Sequence, residues 1–392
     1  MLKVLLLLSL FLVFYTFLGY GILLYIIIKI KRAWKVTNAN WFTEQEMPTL
    51  TLVVAAYNEV YIMEDKIKNT LALNYPKQKL SLVFVTDGSN DGTPEVIQQY
   101  NSIKLLHKPE RSGKIAAVHR AMLEIDTEIV VFTDANTFLN TDALLLIARH
   151  YKDETVGAVS GEKRVFSNTN DATVGEGIYW KYESALKKWD AELYSVVGAA
   201  GELFSVRKSL YEAVPIDTIL DDFMISLKIA EKGYRIVYEP AAYAQETSSA
   251  NIQEELKRKV RIAAGGMQSI LRLQSLMNPF KHPILSFQYI SHRVLRWTVT
   301  PFLLIISLLL NLVIVINGAS VFYNTLLYAQ VLFYITALLG WLFESRNMRI
   351  KLLFIPYYFC MMNYAVLAGI IRYLKKNQSA AWEKSKRQTG TF

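Results

Sequence analysis

The hydrophobic positions fall into two regimes along the chain. Residues 4–28, VLLLLSLFLVFYTFLGYGILLYIII, carry no charge and run into the basic KIKR. A helix of that length crosses the roughly 30 Å hydrocarbon core of a bilayer. The run exceeds the apolar core of a cleaved signal peptide, so a transmembrane anchor is expected, with Lys29, Lys31 and Arg32 marking its cytoplasmic end. Between 45 and 245 the pattern changes to short apolar runs alternating with amphipathic ones. TLTLVVAAYNE, KLSLVFVTDGSNDGT, SIKLLHK and EIVVFTDANT read as strands. EDKIKNTLALN, TPEVIQQY and GKIAAVHRAMLEI read as the helices between them. That βαβ spacing predicts an α/β domain with a parallel sheet covered on both faces.

After residue 250 the pattern changes again. Residues 252–275 are basic and amphipathic, and are expected to lie on the membrane surface or to link the domain to it. Apolar segments near 297–317, 321–343 and 352–371 follow, each close to spanning length. If all of these cross, the basic tail ends outside. One segment is therefore expected to be interfacial or re-entrant, and 352–371 is the one chosen, because Pro356 and Asn363 interrupt it. The expected organisation is an anchor at 1–32, a soluble domain at 45–250, interfacial helices at 251–296, membrane segments at 297–371 and a basic tail at 372–392.

Composition sharpens this picture in two places. The formal net charge is +9. Much of the basic excess borders apolar segments, at 29–35, 346–351 and 372–387, where it suits anionic lipid headgroups. No basic, aromatic-interleaved face marks the soluble part for nucleic acid. The single cysteine, Cys360, excludes an internal disulfide and a zinc set. The membrane segments contain almost no interior charge, which argues against a transporter.

Candidate chemistry gathers at the carboxyl ends of the predicted strands, where open α/β sheets bind ligands. Asn58, Asp87, Asp134 and Asn136 all lie at such ends. In VFTDANT, Asp134 and Asn136 could address one hard cation from the same side of an extended segment, or could close an ordinary turn. VTDGSNDGT offers Asp87 to a nucleobase or ribose between flexible glycines, or is a longer turn. Lys114, after Gly113 at a helix start, suits a phosphate or water. Asp221 and Asp222 open an amphipathic helix. They either favour its dipole or supply a general base. GAAGELFSVRKSLY (198–211) offers small residues where a sugar could approach the backbone. The five histidines, His107, His119, His150, His282 and His292, lack ligand spacing and read as structural or surface groups. GIYWKYE (177–183) reads as the core face of a helix rather than a sugar platform.

Taken in order, VVAAYNE, VTDGSNDGT, RSGKIAAV, FTDANT, and GAAGELFSVRK with LDDF make residues 48–275 resemble a membrane-bound, cellulose-synthase-like family 2 glycosyltransferase. The resemblance implies a GT-A (Rossmann-like) domain set between N- and C-terminal transmembrane helices. It also implies a nucleotide-sugar donor (a UDP-sugar is expected), Mg2+ or Mn2+, and inversion at the anomeric carbon. Ala55, Tyr57 and Glu59 match the nucleotide-binding start, Asp87 the base- and ribose-contacting aspartate, and Lys114 the lysine near the diphosphate. Asp134 matches the first metal-motif aspartate, and Asn136 stands for the second. Asp222 matches the presumed base, with Asp221 before it. Where polymer synthases carry Q-x-x-R-W, this chain has RKVRI (258–262). Arg261 matches the arginine, Arg258 replaces the glutamine and Ile262 the tryptophan, which weakens the case for processive synthesis.

The expected function is single transfer to a lipid-linked or membrane-proximal acceptor in cell-surface glycan synthesis. The expected location is the plasma (inner) membrane, multi-pass, with the catalytic domain cytoplasmic. The alternatives are a processive polysaccharide synthase and, from another class, a catalytically retired nucleotide-sugar-binding scaffold.

Overall fold

The computed structural model describes residues 1–34, 43, 46–166, 174–249, 251–318, 320–346, 348 and 350–376. The boundaries expected at 45 and 250, and the basic tail from 377 onward, lie outside the described residues. The described strands form one sheet in the order β3-β2-β1-β4-β7-β6-β8-β5. They are β1 Leu50–Ala56, β2 Leu80–Asp87, β3 Lys104–Lys108, β4 Ile129–Asp134, β5 Phe138–Leu139, β6 Val156–Phe166, β7 Leu203–Arg207 and β8 Arg235–Thr247.

Every residue of β1 is buried, as a parallel strand covered on both faces requires. Its alternate residues feed two cores. Val53 joins Val83, Val85 and Phe132 on one face, and Leu52 and Val54 join Phe84 and Val131 on the other. Ala55 lies opposite Val85 on one side and Asp134 on the other. The register therefore brings the polar ends of three strands to one edge.

The four strands expected to be parallel, β3, β2, β1 and β4, are parallel, and β6 also pairs parallel with β8. β7 runs antiparallel to β4, with Leu203 beside Thr133 and Arg207 beside Ile129. The chain re-enters the sheet from the ligand-binding edge, through GAAGE, so β7 runs back along β4.

Among the described residues three helices are long and apolar enough to cross a membrane: Leu2–Ala33, Val321–Ser345 and Lys351–Leu374. A fourth candidate is broken. Pro283–Trp297 and Thr300–Ile316 meet at a 60° bend. Pro301 sits in the first turn of the second helix, where its missing N–H removes no helical bond. The expectation that 352–371 is the interrupted segment is thus corrected. Lys351–Leu374 runs unbroken through Pro356, and Asn363 satisfies its side chain by donating to the Phe359 carbonyl at 2.9 Å.

The Ile252–Arg272 helix, expected on the membrane surface or as a link from the domain to it, lies between the α/β domain and the Lys351–Leu374 helix. Phe354 and Tyr358 cluster with Ile252 and Leu256. A Cβ on Gly369 would come within 2.6 Å of Ala263 Cβ and 2.8 Å of the Val260 carbonyl oxygen. The run Ala263, Ala264, Gly265, Gly266 is buried, because only small residues allow helices this close. Gly369→Val is expected to cost about 1–3 kcal/mol by overpacking, read as a lower thermal midpoint of the detergent-solubilised protein than Gly318→Ala shows.

The first span is tied to the domain through the Val174–Leu193 helix. Tyr182 Oη donates to the Phe17 carbonyl at 2.8 Å, and Arg32 holds Glu192 through Nε at 2.8 Å and Nη2 at 2.7 Å.

Candidate active site

The loops at the strand ends are braced before any ligand arrives. Asn58 accepts from the Asn90 N–H at 3.0 Å and donates to Asn90 Oδ1 at 3.1 Å, while Asp91 accepts from the Val60 N–H at 3.1 Å. Gly88 has φ +73°, and a Cβ there would sit 2.6 Å from Arg111 Cβ, so glycine is required on two counts. Asp87 ends β2, where Oδ2 accepts from the N–H groups of Ser112 at 2.7 Å and Gly113 at 2.6 Å. Its Oδ1 is buried and accepts no hydrogen bond among the described groups; the Arg120 guanidinium stands 3.5 Å away. Ala55, Tyr57, Asp87, Arg111 and Lys114 line one small pocket, with the Arg111 guanidinium 3.8 Å over the Tyr57 ring. Glu59 does not line it. It is buried at the start of the Val60–Leu71 helix, where its N–H donates to Thr93 Oγ1 at 2.9 Å.

Lys114 opens the Lys114–Leu123 helix and stands at the centre of a carboxylate cluster. Its ammonium lies 2.7 Å from Asp134 and 3.7 Å from Asp221. Asp221 and Asp222 form the first turn of the Asp221–Glu231 helix. Gly201 faces Asp222, and a Cβ there would lie 3.1 Å from Asp222 Oδ2. Burial, reinforced by Asp221, pushes the Asp222 carboxyl up to about 7. Burial also raises Asp134, partly offset by Lys114. Burial alone would lower Lys114, but Asp134 and Asp221 outweigh it and hold the ammonium charged.

Asn136 is placed differently from its partner. β4 ends at Asp134 and the chain turns, with the Thr137 N–H donating to the Asp134 carbonyl at 3.3 Å. The extended geometry expected to aim positions 134 and 136 alike is therefore absent, and Asn136 is not among the residues lining the cleft. The turn is held from behind by Lys66, a fully buried lysine donating to the Thr137 carbonyl at 2.5 Å. Burial lowers its ammonium to about 7.

From Lys114, Asp134, Asp221 and Asp222 a cleft of about 340 Å³ runs past Glu202, Arg258, Arg261 and Ile262. It ends against Phe17 of the first span, Met362 and Val366 of the last, and Arg293, Arg296 and Trp297 of the broken segment. In its middle Lys163 pairs with Glu202 at 2.5 Å and with Glu246. Arg258 lies 3.3 Å from Glu246 and 3.6 Å from Glu255. Lys163 outweighs burial to hold Glu202 well below the usual carboxylate range.

Residues 51–214 match the sequence signature described as Glycosyl transferase family 2. They form a family 2 glycosyltransferase domain. The chain is similar to the poly-beta-1,6-N-acetyl-D-glucosamine synthases of Staphylococcus aureus (strain COL), 30% identical over 237 residues, and Staphylococcus epidermidis, 27% identical over 238. Each match covers 58% of this chain and 57% of the relative, so the chain aligns with little more than half the length of these relatives. A mannosyltransferase from Pyrobaculum calidifontis, solved in complex with GDP-Man and Mn2+, superposes with a TM-score of 0.72 at 23% identity, over 96% of this chain and 100% of its own. That likeness speaks for the fold, a GT-A domain carried with apolar terminal helices.

A divalent cation fits this glycosyltransferase domain on charge. Asp134, Asp221 and Asp222 face one ammonium, and the buried Asn136 Oδ1 accepts no hydrogen bond among the described groups. No group of three His, Cys, Asp or Glu among the described residues could hold a metal alone, so diphosphate oxygens of a donor would have to complete the shell.

Several lining residues escaped the sequence reading. Arg111 was quoted only as the start of a helix motif. Glu202 was hidden among the small residues of GAAGE. Trp180, read as core, instead lines the cleft, with Lys259 4.9 Å over its ring. Lys66 left one signal, a lone lysine between Met63 and Ile67 on a buried helix face.

Proposed function

We propose that the domain transfers a sugar from a nucleotide-sugar donor, a UDP-sugar on the sequence reading, to a hydroxyl of a lipid-linked or membrane-proximal acceptor, inverting the anomeric carbon. The observation that carries this reading is the convergence of Asp134, Asp221 and Asp222 around Lys114, at the head of a cleft that continues to the membrane helices.

The nucleoside occupies the pocket of Ala55, Tyr57 and Asp87, where Asp87 Oδ1 is open to a donor hydrogen. Lys114 and Arg261 face the diphosphate. Asp134 and the Asn136 amide oxygen would hold Mg2+ or Mn2+, which would supply countercharge to the leaving diphosphate. Asp222 takes the proton of the acceptor hydroxyl. The new bond forms at the anomeric carbon as the bond to the diphosphate breaks. Lys29, Lys31 and Arg32 at the domain end of the first span support a cytoplasmic domain, and the reading places it at a plasma membrane.

The likeness to poly-beta-1,6-N-acetyl-D-glucosamine synthases favours a second reading, processive polymer synthesis. Against it, Ile262 stands where a stacking tryptophan would carry the growing chain. Product length after limited turnover separates the two. A retired scaffold would hydrolyse no donor, so release of nucleotide from UDP- and GDP-sugars by purified protein tests activity itself. Exhaustive chelation is expected to lower that release by about 10²-fold or more, with Mg2+ or Mn2+ restoring it. Full activity after chelation would remove the metal role from Asp134 and Asn136.

A further inference from the structure

The charges along the cleft are graded. At the catalytic end Asp134, Asp221 and Asp222 face Lys114, an excess of negative charge. In the middle Lys163, Arg258, Lys259 and Arg261 face Glu202, Glu246 and Glu255, close to balance with one cation over. At the membrane end Lys187, Arg293 and Arg296 line the cleft with Glu183 as their carboxylate. Arg296 pairs with Glu183 directly, and Arg293 approaches it at 3.6 Å while donating to the Val197 carbonyl. Lys187, one helical turn from Glu183, pairs with no carboxylate among the described residues and sits 5.9 Å over the Tyr238 ring. The neighbouring Asp190 is already taken by His292 at 2.6 Å, Tyr20 at 2.5 Å and Gln288 at 3.1 Å.

Excess cationic charge in a largely buried place calls for an anion. Phe17, Met362 and Val366, from two apolar helices, close the same end. An anion flanked by hydrocarbon-facing helices is the head of an amphiphile.

We propose that the membrane end of the cleft, at Lys187, Arg293 and Arg296, binds the phosphate or diphosphate of a lipid-linked acceptor and leaves its sugar hydroxyl to reach Asp222. This rests on the transferase reading of the cleft and specifies its acceptor as anionic. Guanidinium groups suit the site because they grip phosphate through paired donors. The transfer itself balances as before: the bond from the anomeric carbon to the nucleoside diphosphate breaks and that nucleotide leaves, the acceptor oxygen gains the glycosyl group, and the proton passes to Asp222.

The test uses full-length protein in detergent, with the nucleotide end filled by UDP or GDP and Mn2+. It is titrated with geranylgeranyl diphosphate, geranylgeraniol and phosphatidylglycerol, reading tryptophan fluorescence. The diphosphate is expected to bind at least about tenfold more tightly than the alcohol. Lys187→Gln with Arg293→Gln should erase that difference, and Arg293→Lys should keep part of it, showing that charge rather than misfolding is at issue. Equal binding of alcohol and diphosphate, no binding of either, or an unchanged preference in the double variant would overturn the assignment. Phosphatidylglycerol binding as tightly as the diphosphate would assign the site to bulk lipid and overturn it too. Donor hydrolysis by the unaltered protein tests the transferase reading separately, so the two can fail independently.

Discussion

Asp222→Asn is expected to lower transfer by about 10²–10⁴-fold, the range that general-base catalysis supplies, while donor affinity stays within a few-fold. Asparagine keeps the shape of the side chain beside Gly201 and removes only its basicity. The pH profile gives an independent reading of the same group. Transfer requires Asp222 deprotonated, and burial with Asp221 places its carboxyl at about 7. kcat/KM should therefore climb as pH rises through about 7, well above the ordinary carboxylate near 4, and level off beyond it. Any residual rate in Asp222→Asn should lack that limb.

Stability moves the other way. A carboxyl whose folded value is raised contributes stability that is fully present below its unfolded value, near 4, and lost as pH rises through about 7. At pH 8 the charged form is a burden on the fold, so Asp222→Asn should raise the thermal midpoint there and do little at pH 4.5. Wild-type turnover by the variant would dismiss Asp222 as the base. A midpoint unchanged at pH 8 would show that the carboxylate is better solvated than its burial implies.

The second large effect concerns Lys114. Lys114→Gln leaves Asp134 and Asp221 without the ammonium that lies 2.7 Å and 3.7 Å from them. Removing one partner of a buried ion pair costs about 3–5 kcal/mol, and loss of a charge aimed at the leaving group costs about 10²–10³-fold in rate. The destabilisation should be greatest at pH 8. It should shrink toward pH 5 as Asp134, already raised by burial and now without its cation, takes up a proton. Denaturation at both pH values, alongside turnover, checks the pair. Equal destabilisation at both would mean that Lys114 acts through packing rather than charge.

Much of the site could be read from the chain because parallel strands impose a rule. Their carboxyl ends share one edge, so the polar residues that end β1, β2 and β4 had to assemble. Asp87 and Asp134 follow from that alone, and Lys114 from its glycine-preceded helix start. For Asn136 the alternation argument reaches only as far as the backbone stays extended, and the chain turns after Asp134; Glu59, matched through the family resemblance, lies at the start of a helix. The antiparallel return of β7 left no local trace, since Leu203–Arg207 would look the same in either direction. The cleft's far wall was illegible for a related reason. Arg293 and Arg296 sit between two apolar stretches and resemble boundary residues until the 60° bend turns them inward. The small-residue run at 263–266 was visible, but amphipathicity alone does not separate a surface helix from one packed against protein on two sides, as this one is.

That wedged position of Ile252–Arg272 binds chemistry to embedding. One side of it carries Arg258 and Arg261 into the cleft, and the other is clasped by Gly369 of an apolar helix. The cleft is therefore complete only when the Lys351–Leu374 helix is seated, so its walls and its embedding are built by one and the same packing.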